Sequence, residues 1–432
     1  MTDQNAFTRR LFLKQGLTLA SAVTTVPYFI QKSAMGMMLP LDSMVSSQAG
    51  VPEDRILVVV QLGGGNDGLN TVIPYFSPQY YDFRPSLAIP APNRGSSQQP
   101  GALEVDRAAG IGLHPSMTGF KELMDEGVAT IIQGVGYPNP NRSHFASMDI
   151  WHTANTSGQG VGWIGRYFDN TCNGTPEPEG AISIGREAPL AMIGDKQSPV
   201  SFETPDLFRW VGQDLHDSLA DPYNGVNRSG AIGDADDSSQ LGFLMRTSLD
   251  AQIASDKIRA AVAANPLVRY PANGLARQLQ MVGAMIRGEM RTRVYYVSMG
   301  GYDTHANQGG QHANLMNQLG SALNAFYRDI KAQGNSSRVM TMVFSEFGRR
   351  CRQNASGGTD HGTAAPMYLI GDMVRPGLLG QHPSLTDLDQ GDLKYNLDFR
   401  SVYAGVLEDW MGTGHREVLG NEFRKASLLR TT

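Results

Sequence analysis

Two cysteines in 432 residues, Cys172 and Cys351, exclude a disulfide-stapled scaffold and a four-cysteine zinc ribbon. A single Cys172–Cys351 bridge stays open. Charge is sparse and nearly balanced, with 36 Lys plus Arg against 41 Asp plus Glu and a formal net charge of −5. No segment is strongly basic, so the electrostatic footprint of a nucleic-acid binder is missing. No run of about 20 strongly apolar residues occurs, which argues against a spanning helix and a stable membrane anchor. What remains is a globular composition, 41% hydrophobic, with 49 Gly and 23 Pro pointing to many loops.

The N-terminus carries an address. Thr8-Arg9-Arg10-Leu11-Phe12-Leu13-Lys14 precedes an uncharged, moderately apolar stretch from Gln15 to Gln31, closed by Lys32. Paired arginines before a weakly hydrophobic segment match a twin-arginine signal, read by the bacterial export machinery. Residues 1–45 are therefore assigned to signal and leader, with cleavage between Ala22 and Ala49. The expected location is periplasmic or secreted. Proteins exported by this route fold first, and many acquire a metal or cofactor before crossing the membrane.

Residues 46–432 read as one α/β domain. Ile56 to Leu62 is a continuous apolar run ending in glycines, the pattern of a strand buried on both faces. A helix opening at His114-Pro115-Ser116 carries Met117, Phe120, Leu123 and Met124 on one stripe. Further strands are expected at Val128 to Ile132, Val294 to Met299, Val339 to Phe344 and Met367 to Ile370. Leu315, Leu319, Leu323, Phe326 and Ile330 mark a helix between the third and fourth strands, and a last helix runs from Phe399 to Met411. This alternation predicts a three-layer α/β/α sandwich around a mainly parallel sheet. Residues 185–291 break the pattern with polar loops and helical stretches such as Leu275 to Arg287. They read as a mostly helical cap insert.

In open α/β sheets, ligands bind beyond the carboxyl ends of the strands. Residues able to do chemistry recur at those ends here. Asp67 follows the first strand; Arg142, Ser143 and His144 follow the second; Asp303 and His305 follow the third; Glu346 follows the fourth, with Asp360 and His361 soon after. Carboxylates and imidazoles converging in this way suit a divalent metal, and without a cation such carboxylates would repel one another. One or two ions of zinc, manganese, iron or calcium are expected.

Each piece also has a plain structural reading. Gly63-Gly64-Gly65-Asn66-Asp67-Gly68 contains turn residues, and Ser143 is a good helix N-cap. Recurrence at four strand ends favours a site. The glycine spacing is not a dinucleotide fingerprint, no lysine marks a phosphate loop, and nothing resembles a flavin, haem or iron–sulfur motif. His114 lies at the opposite end of the second strand. His152, His216, His312, His382 and His415 are off the strand ends, and none of these is given a role.

At these motifs the chain resembles a bacterial family catalogued as domain of unknown function 1501. The resemblance covers nearly the whole chain. It runs through the Arg-Arg signal, Gly64-Gly65-Asn66-Asp67-Gly68-Leu69-Asn70-Thr71 and Arg142-Ser143-His144-Phe145. It continues in Gly301-Tyr302-Asp303-Thr304-His305, Ser345-Glu346-Phe347-Gly348-Arg349 and Thr359-Asp360-His361-Gly362. That family looks like a distant branch of the alkaline phosphatase and sulfatase superfamily, which implies an alkaline-phosphatase-like fold with metals at the strand ends. By this resemblance Asp67 is a metal ligand and Ser143 the nucleophile at a helix start. Asp303, His305 and His361 serve the other metal position. The chain departs from the superfamily at Glu346-Phe347, where an adjacent Asp-His pair is usual, and in the close spacing of Asp303 and His305. Glu346 and Asp360 complete the candidate ligands.

The function implied is an exported metal-dependent hydrolase of phosphate or sulfate esters. In it Arg142 orients the anion, and His144 or His305 protonates the leaving group. The alternative is a non-catalytic periplasmic or envelope protein that keeps the fold and binds an anion, a glycan or a partner. The expected substrate in either case is a small anionic ester or a glycan.

Overall fold

Ile56–Leu62 (β1) is buried except at half-buried Gln61, and its successive apolar side chains go to opposite cores. Ile56, Val58, Val60 and Leu62 pack with Phe120, Leu279, Leu319 and Phe326, whereas Leu57 and Val59 pack with Trp151, Trp163 and Phe399. Both faces being apolar is why the run shows no alternation. Each buried aliphatic side chain contributes about 1.5–3 kcal/mol. The structure, a computed structural model, describes residues 54–171, 178–204 and 255–430. The leader, Cys172 and residues 205–254 lie outside the described residues.

The remaining strands of the main sheet are Ala129–Gly136 (β2), Ala181–Ile184 (β3), Val200–Phe202 (β4), Val294–Met299 (β5), Val339–Ser345 (β6), Ala365–Ile370 (β7), Gly377–Leu379 (β8) and Leu397–Asp398 (β9). Their order is β8-β2-β7-β6-β1-β5-β3-β4, with β9 also pairing to β2. β7 runs antiparallel to β6 and β2, and every other pairing is parallel. The first and second strands of the sequence thus share a direction, with β6 and β7 between them.

Thr118–Asp125 (α1), Gly274–Arg287 (α4) and Gln308–Ala332 (α5) cover one face. His144–Thr153 (α2), Trp163–Thr171 (α3) and Phe399–Gly405 (α6) cover the other, α6 continuing as a π-helical turn to Met411. The result is a three-layer α/β/α sandwich. α1 begins at Thr118, later than expected, because His114 follows a short strand, Ile111–Leu113, and its N–H donates to Thr71 O at 3.0 Å.

Two stretches inside the expected insert belong to the main layers. β4 pairs with β3 as the sheet's edge strand, and α4 packs on β5 and α5. The middle of the expected insert, residues 205–254, lies outside the described residues. Cys351 is a buried free thiol. No described helix is long and apolar enough to cross a membrane.

Candidate metal centre

The carboxyl ends of β1, β2, β5 and β6 lie along one edge of the sheet, and the loops leaving them interleave. Gly64, after β1, has φ +115°, and a Cβ there would stand 2.6 Å from the backbone nitrogen of Asp303. Only glycine lets the two loops pass so closely. Its N–H donates to Glu346 Oε1 at 2.8 Å, tying the β1 and β6 loops together.

Asp303 Oδ1 is the focus of the site. His305 Nε2 lies 2.9 Å from it, His361 Nε2 3.2 Å and His144 Nε2 3.4 Å. His305 Nε2 and His361 Nε2 are 2.9 Å apart. Each ring has a separate acceptor at its other nitrogen. His144 Nδ1 donates to Glu346 Oε1 at 2.8 Å, His305 Nδ1 to Asp360 Oδ1 at 3.1 Å, and His361 Nδ1 to the carbonyl oxygen of Arg142 at 2.8 Å. Acceptors at all three Nδ1 atoms place the protons there and leave the Nε2 lone pairs facing Asp303.

Donor atoms that face one another need a proton or a cation between them. His144 Nε2 is buried and makes no hydrogen bond among the described residues. Ligand atoms of His144, Asp303 and His361 all lie within 4.8 Å of one another. Tetrahedral zinc with bonds of 2.0–2.1 Å separates its ligand atoms by about 3.4 Å, close to the spacings here. The donor set fits a transition metal. Imidazole nitrogens suit zinc, manganese or iron, and calcium, which takes oxygen ligands, does not fit.

Electrostatics agree with a carboxylate kept ionised. Burial would raise the Asp303 carboxyl, but the hydrogen bond and charge of Arg349, helped by the neighbouring His361 and His305 rings, outweigh it and hold the group at about 2. Arg349 Nη2 reaches Asp303 Oδ1 at 2.7 Å, while its Nε donates to Gly65 O and its Nη1 to Thr359 O. One buried guanidinium thus pins three loops. Asp360 is lowered by a hydrogen bond from Asn354 and, against burial, by its contact with His305.

Several expected roles change. Asp67 is not among the converging groups. It is buried against Arg84, with Nη1–Oδ2 at 2.6 Å and Nη2–Oδ1 at 3.0 Å, and Gln308 donates to it as well. Burial would raise its pKa, and the Arg84 charge holds it down at about 2. In this arrangement it is the counter-ion of buried Arg84. Glu346 and Asp360 do not point at the focus either; they hold the rings of His144 and His305. His144, expected as an acid, instead joins the candidate ligands.

Ser143 sits at the N-cap of α2 beside His144, with no capping hydrogen bond from its side chain. The guanidinium of Arg142 is held by buried Asp392, which also accepts from Arg350 Nε at 3.1 Å. Sequence reasoning missed Arg84, Arg349 and Asp392. Arg349 had a signal, lying inside the Ser345-Glu346-Phe347-Gly348-Arg349 motif, but Arg84 and Asp392 sit in unremarkable polar stretches. His312 and His114 pack 5.4 Å apart behind Asn66 and Thr71, and burial pushes them down to about 4 and about 3.

A family model described as protein of unknown function (DUF1501) matches residues 54–420. The chain belongs to that family. No curated protein matches this DUF1501 chain significantly. Among solved structures it is similar to an alkaline phosphatase superfamily protein from Vibrio parahaemolyticus, at 8% identity and TM-score 0.40, covering 92% of this chain and 78% of that one. It is similar to the lipoteichoic acid synthase LtaP from Listeria monocytogenes at 8% identity and TM-score 0.36, covering 81% and 73%. A third is the PsFucS1 sulfatase from Pseudoalteromonas sp., at 9% identity and TM-score 0.35, covering 89% and 72%.

Proposed function

We propose that this DUF1501 chain is an exported metal-dependent hydrolase of phosphate or sulfate esters. The observation that carries the reading is the set of imidazole Nε2 atoms around Asp303 Oδ1, with the His144 Nε2 buried and unbonded. Catalytic sites keep three protein ligands and an open position, whereas four protein ligands close a site. His144, Asp303 and His361 are the three that would hold the ion. A bound divalent cation supplies Lewis acidity toward an ester oxygen.

His305 then lies beside the open position with Asp360 behind its Nδ1. That arrangement orients an imidazole whose Nε2 first takes up a proton and then gives it to a leaving group. Ser143 Oγ, at the start of the ten-residue α2, is the nucleophile, and the N–H groups of the helix start favour an anion there. Arg142 lies at the rim, its carbonyl positioning His361 and its guanidinium steered by Asp392.

Metal content by elemental mass spectrometry, followed by hydrolysis of p-nitrophenyl phosphate and p-nitrophenyl sulfate, tests the reading. The expected result is one equivalent of zinc, manganese or iron, lost in Asp303→Ala and His361→Ala together with hydrolysis. His305→Ala is expected to keep the ion and lose about 10²–10⁴ in rate. A folded wild type that takes up no ion would overturn the proposal. Export rests on Arg9-Arg10; replacing both with lysine should leave the protein in the cytoplasm on cell fractionation.

One observation favours the second reading, a non-catalytic envelope protein binding an anion or glycan. Asp67 is consumed by Arg84, so the described residues assemble ligands for one ion rather than two. Metal uptake without hydrolysis of either ester would select that reading.

A further inference from the structure

Beside the metal centre, a recess of about 360 Å³ opens between α2, the end of β2 and the hairpin formed by Leu388–Asp389 and Asp392–Leu393. Its volume lies toward the lower end of the roughly 300–1,000 Å³ typical of small-molecule sites. The walls mix aromatic and polar groups: Tyr137, Trp151 and Tyr395 with Asn139, Asp389 and Lys394. Glu346 belongs to both places. It lines the recess and holds His144 Nδ1, so an occupant sits one residue away from a candidate metal ligand.

The lining says what kind of group fits. Lys394 is the cation among the described lining residues, and its ammonium is already paired with Asp387 at 2.5 Å. Asp389 and Glu346 add acid, so the recess does not select an anion. Trp151 is buried and stacks on Phe344 and Phe399, with ring centroids 5.1 and 4.3 Å away, so its ring is packed into the protein. Tyr395 is 39% exposed and offers ring surface as well as a hydroxyl. The Tyr395 ring face, edged by the polar groups of Asn139, Asp389 and Lys394, matches a ring with C–H faces and hydroxyl edges.

The recess is also held in place relative to the centre. Buried Asp392, on the hairpin, binds the guanidinium of Arg142, and the Arg142 carbonyl holds His361. Arg350 binds the same carboxylate, and its backbone N–H donates to Asp360 O at 3.0 Å. Wall and centre are therefore one connected unit.

We infer that the recess is a subsite for a neutral, hydroxylated ring of monosaccharide size. The ring is the non-reacting part of an anionic sugar ester whose charged group reaches the metal centre. The second statement rests on the ester-hydrolase reading, and the first does not. The probes are methyl α-glucoside, methyl α-galactoside and methyl α-mannoside, titrated calorimetrically into the full chain. At least one is expected to bind with a millimolar or lower Kd. Tyr395→Ala should weaken it at least tenfold, and Tyr395→Trp should retain it. Absence of binding to the folded wild type, or unchanged binding by Tyr395→Ala, would overturn the subsite. Metal uptake without glycoside binding sinks the subsite alone, whereas glycoside binding without metal uptake supports the subsite and sinks the hydrolase.

Discussion

Asp67 and Asp303 both follow a parallel strand, and both carboxyls are held at about 2, yet their surroundings give them opposite uses. Asp67 is enclosed by Arg84 and Gln308, its oxygens already satisfied. Asp303 is about half exposed and turns one oxygen toward three imidazoles. Asp67→Ala should therefore leave Arg84 as an uncompensated buried charge and cost about 3–5 kcal/mol in chemical denaturation. The fraction that remains folded is expected to keep its metal. At Glu346 the prediction is reversed. Glu346→Gln retains the shape but weakens the acceptor that fixes the His144 ring, so metal affinity should fall by about ten- to a hundredfold in a chelator competition. An unchanged affinity would show that Glu346 does not orient the ligand.

The site is made by loops, and those loops are held by contacts between elements far apart in the chain. Gly64 combines φ +115° with the close approach of the Asp303 backbone, while its N–H anchors Glu346. Gly64→Ala adds a methyl group where there is no room, on a backbone conformation that L-residues avoid at about 1–3 kcal/mol. It should lower the unfolding midpoint and, by moving Asp303, the metal stoichiometry. A variant with full stoichiometry and wild-type stability would refute the interleaving role. Arg349 performs the same function from the other side, joining the loops after β1, β5 and β6.

For the molecule as a whole, the buried histidines set the response to acid. Burial pushes His312, His152 and His114 down from an ordinary value near 6.5 to about 4, about 4 and about 3. The unfolded chain binds these protons first. Their stability contribution is whole above about pH 6.5 and is lost as pH falls toward 4, roughly 3 kcal/mol for His312 alone. Asp67 adds a lower stage. Its folded pKa is depressed from 3.8 to about 2, so its contribution is present above pH 4 and is lost between 4 and 2. The urea midpoint should fall steadily from pH 7 to pH 4; a flat profile would contradict burial of these rings in the neutral form.

Much of this was legible in the linear chain. The run Ile56 to Leu62, the glycines after it and the helical stripe from Leu315 to Ile330 report burial and turning locally, so they determined the sandwich and the edge where the chemistry gathers. Because Asp303, His305, His361 and His144 each follow a strand of the same direction, their meeting at that edge was also readable. Which atoms face one another was decided only by the tertiary structure. Arg84, 17 residues beyond Asp67, removes that carboxylate from the ligand set, and Glu346 and Asp360 turn to the outer nitrogens of His144 and His305. A side chain on a glycine-rich loop has its direction set by whichever distant backbone packs against it, as Arg142 O does for His361. Periodicity carries no record of that packing.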